Sequence, residues 1–352
     1  MCNCYAVENQ GYLWKAPTAT KTMKTAFSSF LTSFFGMYMT QSCIHSFIAM
    51  LIVDRAIYIW DIGNPLIRQR FRIFIIFIAL FPYPLYQLMN PERGDLAFRL
   101  GTLFDSSRWL NLELWNAIPI GLLFILLLVF TSFVFLFQEL IPIIRHTAES
   151  DRTLSSWEKL DHKSEMVRNF GCFKREAQDM PDFYITDNEL PILFARTGKR
   201  PSIHLSTGII ASLTAEELQG AIAHETAHIL RNKRPLLIIV FFLRMLLFFN
   251  PFVLLEFRRI VLDEEKICDD MAIALTKNPS ALAETLKKLY HKPETRTDGR
   301  KHDASVAQQD DNAHVEKRIR RIEGGLGQYA GGQWGKLVAV SIANIIINYF
   351  VV

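Results

Sequence analysis

The chain has 352 residues, half of them hydrophobic, with 27 Phe and 21% charged residues. That balance excludes a disordered chain and sits badly with an ordinary soluble protein. The net charge of +4 decides nothing alone, and no interleaving of basic and aromatic residues suggests a nucleic-acid surface. The five cysteines (Cys2, Cys4, Cys43, Cys172, Cys268) form no paired framework, which suits a reducing compartment for the bulk of the chain.

The apolar residues are clustered. After a polar segment over residues 1–25, no Asp, Glu, Lys or Arg occurs between Lys24 and Asp54, and none between Glu113 and Glu139. Each run exceeds the ~20 residues that cross a bilayer as a helix, so spans are expected over 26–53 and 115–144. The first run starts late and lacks a convincing small-residue cleavage site, which predicts a retained span and not a removed signal peptide. Residues 73–89 are uncharged but contain Pro82 and Pro84, which predicts a kinked second span. Residues 337–352 are apolar with Asn344 and Asn348 among them, a short candidate for a last span. The reading is an integral, multi-pass membrane protein.

Arg55, Arg68, Arg70 and Arg72 make the first loop basic, whereas Arg93, Arg99 and Arg108 of the second are balanced by Glu92, Asp95 and Asp105. The positive-inside rule then places the first loop and the region after Ile144 in the cytoplasm, although Lys15, Lys21 and Lys24 oppose this. Gln41 and His45 lie four apart in the first span and are candidates by default for a role at membrane depth. A hydrogen bond between packed spans is the better reading.

From Arg145 the chain turns polar, and residues 145–335 form the expected soluble domain. Residues 149–180 read as a charged helical brace. Short strands are expected over 183–185 and 192–195, with turns at Asp187-Asn188 and Thr197-Gly198-Lys199. Residues 202–206 alternate, with Ile203 and Leu205 on one face, and are expected to be an edge strand able to hold an extended peptide. Thr214-Ala215-Glu216-Glu217 reads as a capping box that opens a helix over about 215–232.

That helix carries His224-Glu225-Thr226-Ala227-His228. Residues four apart share a helix face, so both imidazoles can point at one metal ion, with the Glu225 carboxylate able to reach a water there. Two His ligands and a general base are the arrangement of a zinc hydrolase. A catalytic zinc needs a third protein ligand. Asp263-Glu264-Glu265-Lys266-Ile267-Cys268-Asp269-Asp270 supplies candidates: Glu265 as ligand with Asp269 supporting a ligand imidazole, or Glu264 as ligand with Asp270 in that role. Cys268 reads as a small buried residue and not as a ligand. His291, His302 and His314 lie in a polar stretch and are assigned no catalytic role.

Residues 235–256 separate the two half-sites and are apolar apart from Arg244, Asn250 and the final Glu256. As one straight helix of ~33 Å they would cross the bilayer and leave His224 and Glu265 on opposite sides. Asn250-Pro251 can break the helix, and basic residues flank the run at both ends. A re-entrant or membrane-associated helical hairpin is therefore predicted. Arg244 is expected to snorkel or pair within it.

Taken in order, Glu216-Glu217-Leu218, the His224–His228 motif, Phe249-Asn250-Pro251, Arg258-Arg259, Glu265-x-x-Cys268-Asp269 and Val315-Glu316-Lys317-Arg318-Ile319 resemble the peptidase domain of the BlaR/MecR-type membrane metallopeptidases, over about residues 115–325. More distantly, the chain is similar to the HtpX/CAAX-type membrane proteases. The resemblance implies a membrane helical bundle joined to an α+β zincin-like (gluzincin) domain and one Zn2+ per chain. It also implies His224, His228 and Glu265 as ligands, Glu225 as catalytic base and Asp269 in support. Asn232-Lys233 stands where the family has an acidic residue after the motif. The chain ends at Val352, so the namesake receptors' extracellular penicillin-sensing domain is expected to lack a counterpart, and antibiotic sensing is not carried over. The expected function is endopeptidase cleavage of a cytoplasmic regulator or membrane protein at the cytoplasmic face of the bacterial inner membrane, in signalling. The alternatives are HtpX-like quality control and a non-catalytic scaffold built on a peptidase fold.

Overall fold

The structure, a computed structural model, describes residues 29–31, 33–115, 118–141, 157–160, 181–198, 200–232, 235–290, 304–325 and 334–352. All but 157–160 of the brace expected over 149–180, together with His291 and His302, lies outside them.

Helix α1 (Phe34–Ile59) begins at Ser33, whose hydroxyl accepts the Gly36 N–H. It runs past the end of the apolar stretch, because Asp54 is drawn into ion pairs with Arg72 (3.4 Å) and Arg259 (2.9 Å). Helix α2 (Pro65–Leu80) has Pro65 in its first turn and is capped by Asn64, which accepts the N–H groups of Leu66 and Ile67. The span expected over 73–89 is corrected by that cap: Arg68, Arg70 and Arg72 belong to the helix and not to a loop. A new helix, α3 (Pro82–Met89), follows with a 52° bend. Pro82 cannot donate to the preceding turn and so starts its own.

Two short helices, α4 (Leu96–Leu100) and α5 (Ser106–Leu110), lead into a hairpin of β1 (Glu113–Leu114) and β2 (Ile118–Pro119). The third expected span therefore opens as a hairpin and becomes helical at α6 (Ile120–Phe135), continued by a π-helical turn over Leu136–Leu140. Among the described residues, α1 and the helix over Ile120–Leu140 are long and apolar enough to cross a membrane, and the bent pair α2–α3 makes up to three.

Strands β3 (Glu158–Lys159), β4 (Asp182–Thr186), β5 (Leu193–Arg196) and β6 (Ser202–Ser206) form a sheet in the order β3-β4-β6-β5. Strand β6 pairs parallel with β4 and antiparallel with β5. Residues 202–206 are thus an interior strand, buried at every position, and the edges are β3 and, beside β6, β5. Alternation of Ile203 and Leu205 could not distinguish the two. His204, between them, is covered by the rings of Trp157, Tyr184 and Phe194.

After α7 (Thr207–Ser212), the Thr214 hydroxyl accepts the Glu217 N–H at 3.3 Å and Glu217 Oε2 accepts the Thr214 N–H at 2.8 Å. This reciprocal cap starts α8 (Ala215–Asn232). One face of α8 packs Leu218, Ile222 and Ile229 on the sheet residues Phe183, Ile203 and Leu205. Ala223, on its other side, meets residues of the helices that follow.

The apolar run splits into α9 (Pro235–Leu246) and α10 (Pro251–Thr276). It folds back on itself, so that the rings of Phe241 and Phe257 meet with centroids 6.2 Å apart. Asn250 fixes the turn. Its carbonyl oxygen accepts the N–H groups of Phe252 and Val253, and its amide nitrogen donates to Ser42 and Ser46 of α1. Arg244 pairs with Glu139 beyond α6, not within the hairpin, and lies over the rings of Phe135 and Phe257. Helices α11 (Pro279–Tyr290), α12 (Ala304–Glu323) and α13 (Trp334–Tyr349) complete the chain.

Helix α13 lies along α1. Trp334 and Lys336 meet Arg70 and Trp60 at one end, and the Ile345 carbonyl accepts the Tyr86 O–H at the other. At that far end Gln41 donates to the Ser106 hydroxyl and His45 Nε2 stands 3.3 Å from the Val351 carbonyl. Both polar groups of the first span are engaged in packing.

Asn250→Ala removes the helix cap and both links to α1. It is expected to cost about 1–2 kcal/mol, read as a lowered melting midpoint of the detergent-solubilised protein, with a larger loss than Ser42→Ala alone.

Candidate metal centre

Helix α8 presents His224 and His228 one turn apart, and α10 brings Glu265 across from them. His224 Nε2 and His228 Nε2 are 3.1 Å apart, and each is 3.5 Å from a carboxylate oxygen of Glu265. Ligand atoms on a tetrahedral zinc with bonds of ~2.05 Å stand roughly 3.3 Å apart. Among the described residues, these three side chains form the one group able to hold an ion, and two imidazoles with one carboxylate are a donor set that zinc accepts.

The supporting contacts assign the rest of the acidic cluster. Asp269 Oδ1 lies 3.1 Å from His224 Nδ1, close though not aligned as a straight hydrogen bond, which leaves Nε2 free for an ion. Asp269 is itself gripped by Arg318 of α12, through Nε at 2.9 Å and Nη2 at 2.7 Å, while Arg318 Nη1 reaches Glu265 at 3.0 Å. Glu264 points elsewhere: it pairs with Arg231 at the end of α8 and accepts the Gln69 amide at 2.7 Å. Asp270 pairs with Arg321. With Glu264 and Asp270 held by arginines, the carboxylate that converges with the two imidazoles is that of Glu265. Cys268 is buried with Sγ 3.4 Å from His228 Nδ1, where it orients the second imidazole as Asp269 orients the first.

Glu225 is turned towards the sheet, and its Oε2 accepts the Ala195 N–H of edge strand β5 at 2.8 Å. Neither this contact nor the Arg318 clamp is readable as a site feature in the sequence. Arg318 stands in the quoted Val315–Ile319 segment, but nothing there says which carboxylates it meets, and Ala195 offers only backbone.

Electrostatics follow from this packing. Burial opposes charge on His224, but the carboxylates of Asp269 and Glu265 outweigh it and hold the imidazole up to about 9. Burial and the His224 charge push His228 down. Glu225 is raised by burial, partly offset by His224. Glu265 and Asp269 are lowered despite burial, Asp269 to about 2, by His224 and Arg318. Burial raises the Cys268 thiol, so it stays protonated.

A membrane protein with a His-Glu-x-x-His helix facing a carboxylate is thereby defined, and comparison with known proteins gives its family. Residues 112–322, more than half of the chain, match the BlaR1 peptidase M56 family, and the chain belongs to it. Protease HtpX of Legionella pneumophila (strain Corby) is 41% identical over 61 residues, 16% of this chain and 21% of that protein. The protease HtpX homolog of Thermodesulfovibrio yellowstonii is 49% identical over 74 residues, 19% of this chain and 26% of that protein. The chain thus spans about a fifth to a quarter of the curated relatives it matches.

Metal uptake is expected to depend on pH with a definite sign. Below about 9 the metal-free His224 carries a proton that an ion must displace, so affinity rises with pH, by up to about tenfold per unit, and flattens above. Chelator-competition titrations between pH 6 and 9 measure this. Asp269→Asn is expected to weaken metal binding about 10–100-fold and to move the pH dependence lower.

Proposed function

We propose that the chain is a zinc-dependent endopeptidase embedded in the bacterial inner membrane, which cleaves a protein substrate at the cytoplasmic membrane face. The convergence of His224, His228 and Glu265 beside a half-buried Glu225 carries this reading. Zinc, when held by those three side chains, supplies a Lewis acid that acidifies water and polarises the scissile carbonyl. The protein's own groups do the remainder. Glu225 takes the proton of the attacking water at its carboxylate and delivers it to the leaving amine, for which a pKa raised by burial suits it. Asp269, Arg318 and Cys268 hold the imidazoles and Glu265 in register. Strand β5 offers its free side to an extended peptide, with Ala195 already tied to Glu225.

The charge pattern supports the membrane setting. From Phe34 to Asp54 helix α1 rises about 30 Å, the thickness of a hydrocarbon core. Ser42 and Ser46, which hold the hairpin tip, fall near the middle of that length. At the Asp54 level stand Arg72, Glu256 and Arg259, a belt of paired charges suited to the cytoplasmic boundary. Helix α10 reaches Glu265 six residues past Arg259, about 9 Å further. A site at that height favours substrates held at the membrane, either a membrane protein or a regulator docked on it. Signalling proteolysis in the manner of the family's namesakes is the role we favour.

Glu225→Gln is expected to retain zinc and lose cleavage by at least about 1000-fold, since the base is removed and the ligands are not. Equal zinc content with undiminished proteolysis would refute the base assignment, and inactivity of both proteins with zinc bound favours a scaffold. For topology, Leu230→Cys and Val261→Cys, in a background without Cys2, Cys4 and Cys172, are expected to label from the cytoplasmic side alone. Labelling from opposite sides rules out the hairpin.

A further inference from the structure

The sheet has two faces, and only one is used by the metal centre. Phe183, Ile203 and Leu205 point to α8, whereas Tyr184, His204 and Phe194, in register on β4, β6 and β5, point the other way. Their rings form a continuous stack. Tyr184 and His204 have centroids 4.8 Å apart at an interplanar angle of 7°, and His204 and Phe194 are 4.8 Å apart at 1°. Trp157 stands edge-on against both Phe194 and His204. His204 is almost wholly covered, while Phe194 remains 40% exposed. The stack therefore ends at the edge strand with one ring half open.

That end is next to the chemistry. Ala195 follows Phe194, and its N–H points away from β6 to Glu225. In antiparallel pairing the residues alternate between facing the partner strand and facing outward, so Leu193 and Ala195 offer N–H and C=O groups to a strand laid on the free side of β5. A residue opposite Phe194 would then occupy a non-hydrogen-bonded pair, in which side chains come closest. It would also lie on the face of the stack, as the fourth rung after Tyr184, His204 and Phe194.

We propose that Phe194 is a specificity-determining residue: a substrate segment added to β5 places one side chain against this ring, and the site selects a planar side chain, Phe, Tyr, Trp or His, at that position. The inference rests on the peptidase reading above and deepens it. Aromatic pairs add to plain burial by an amount that corresponds to about a three- to tenfold preference over an aliphatic side chain. The ladder also fixes where the preference falls, within a residue or two of the segment facing Ala195 and Glu225.

The test uses the full-length, zinc-loaded protein in detergent and a set of fluorogenic peptides on one scaffold, in which each position in turn carries Phe, Tyr, His, Leu or Asp. One position is expected to favour the rings over Leu by about three- to tenfold in kcat/KM. Phe194→Leu, which keeps apolar bulk but cannot stack, is expected to bring that ratio to about one, and Phe194→Tyr to preserve it. Because each ratio is taken within one protein, a general loss of activity does not imitate the effect, and zinc content and melting report on folding. Absence of any ring preference in the wild type, or its survival in Phe194→Leu, overturns the proposal. Cleavage that does not depend on zinc and Glu225 defeats the peptidase reading instead. The same peptides are then scored by fluorescence anisotropy for binding to Glu225→Gln, with and without Phe194→Leu. Tighter binding of ring-bearing peptides that is lost in the double variant sustains the proposal, and equal binding ends it.

Discussion

The Asn250 cap is the contact on which the rest of the arrangement depends. The two halves of the candidate metal centre are separated in sequence by an apolar run long enough to carry them to opposite sides of a bilayer. One buried amide prevents this. Its oxygen starts α10 and its nitrogen is held by Ser42 and Ser46, so the chain reverses where it would otherwise continue. From that point α10 is one uninterrupted helix through Glu256, Glu265 and Asp269. A helix transmits position along its axis with little compliance. The placement of Glu265 opposite His224 and His228 is therefore set from within the helical bundle, by a residue fifteen positions away.

Helix α10 also carries a dense row of acids, and buried charge is costly unless each one is paired. The pairs are distributed among several elements. Glu256 meets Arg72 of α2 and Arg259 of its own helix, Glu264 meets Arg231 of α8 and Gln69 of α2, and Asp269 meets Arg318 of α12. Glu264 and Glu265 are neighbours in sequence with opposite duties. One locks α8 and α2 to α10, and the other faces the two imidazoles. Removal of Arg231 or Arg318 strands a buried carboxylate away from water, so the packing of the bundle against the soluble part and the geometry of the candidate metal centre are not separable.

Much of this was legible in the residues, and what was not has identifiable physical causes. His224, Glu225 and His228 declare themselves because helical periodicity alone puts two imidazoles on one face. Thr214 and Glu217 announce the start of that helix for the same local reason. Periodicity could frame Glu265 and Glu264 as candidates but not separate them, since both lie on the same turn, and what turns Glu264 away from the imidazoles is Arg231, more than thirty residues upstream. The edge strand was misplaced because Ile203 and Leu205 report one buried face, and burial of the other is caused by Trp157, Tyr184 and Phe194, distant in sequence. Helix α2 begins earlier than its hydrophobicity suggests because Asn64-Pro65 is a cap, a polar signal that a search for apolar runs passes over.

Glu225 shows how the edge strand and the metal centre constrain each other. Its carboxylate is bound by the Ala195 N–H, which is also among the donors that a peptide laid along β5 would use. On the proposed peptidase reading, a base tied to the strand that receives the peptide is held where the peptide backbone would pass. Burial raises its proton affinity above that of an exposed carboxylate, partly offset by His224, which suits a group that accepts a proton and passes it on. On the same proposed reading, a peptide arriving on β5 would compete for Ala195, and the carboxylate it would free stands one residue along the helix from His224. Peptide pairing and availability of the proposed base would then be coupled through a single backbone N–H. Short ligands that do not reach Ala195 would leave Glu225 engaged with the strand, and the proposed reading therefore makes extended segments better substrates than dipeptides.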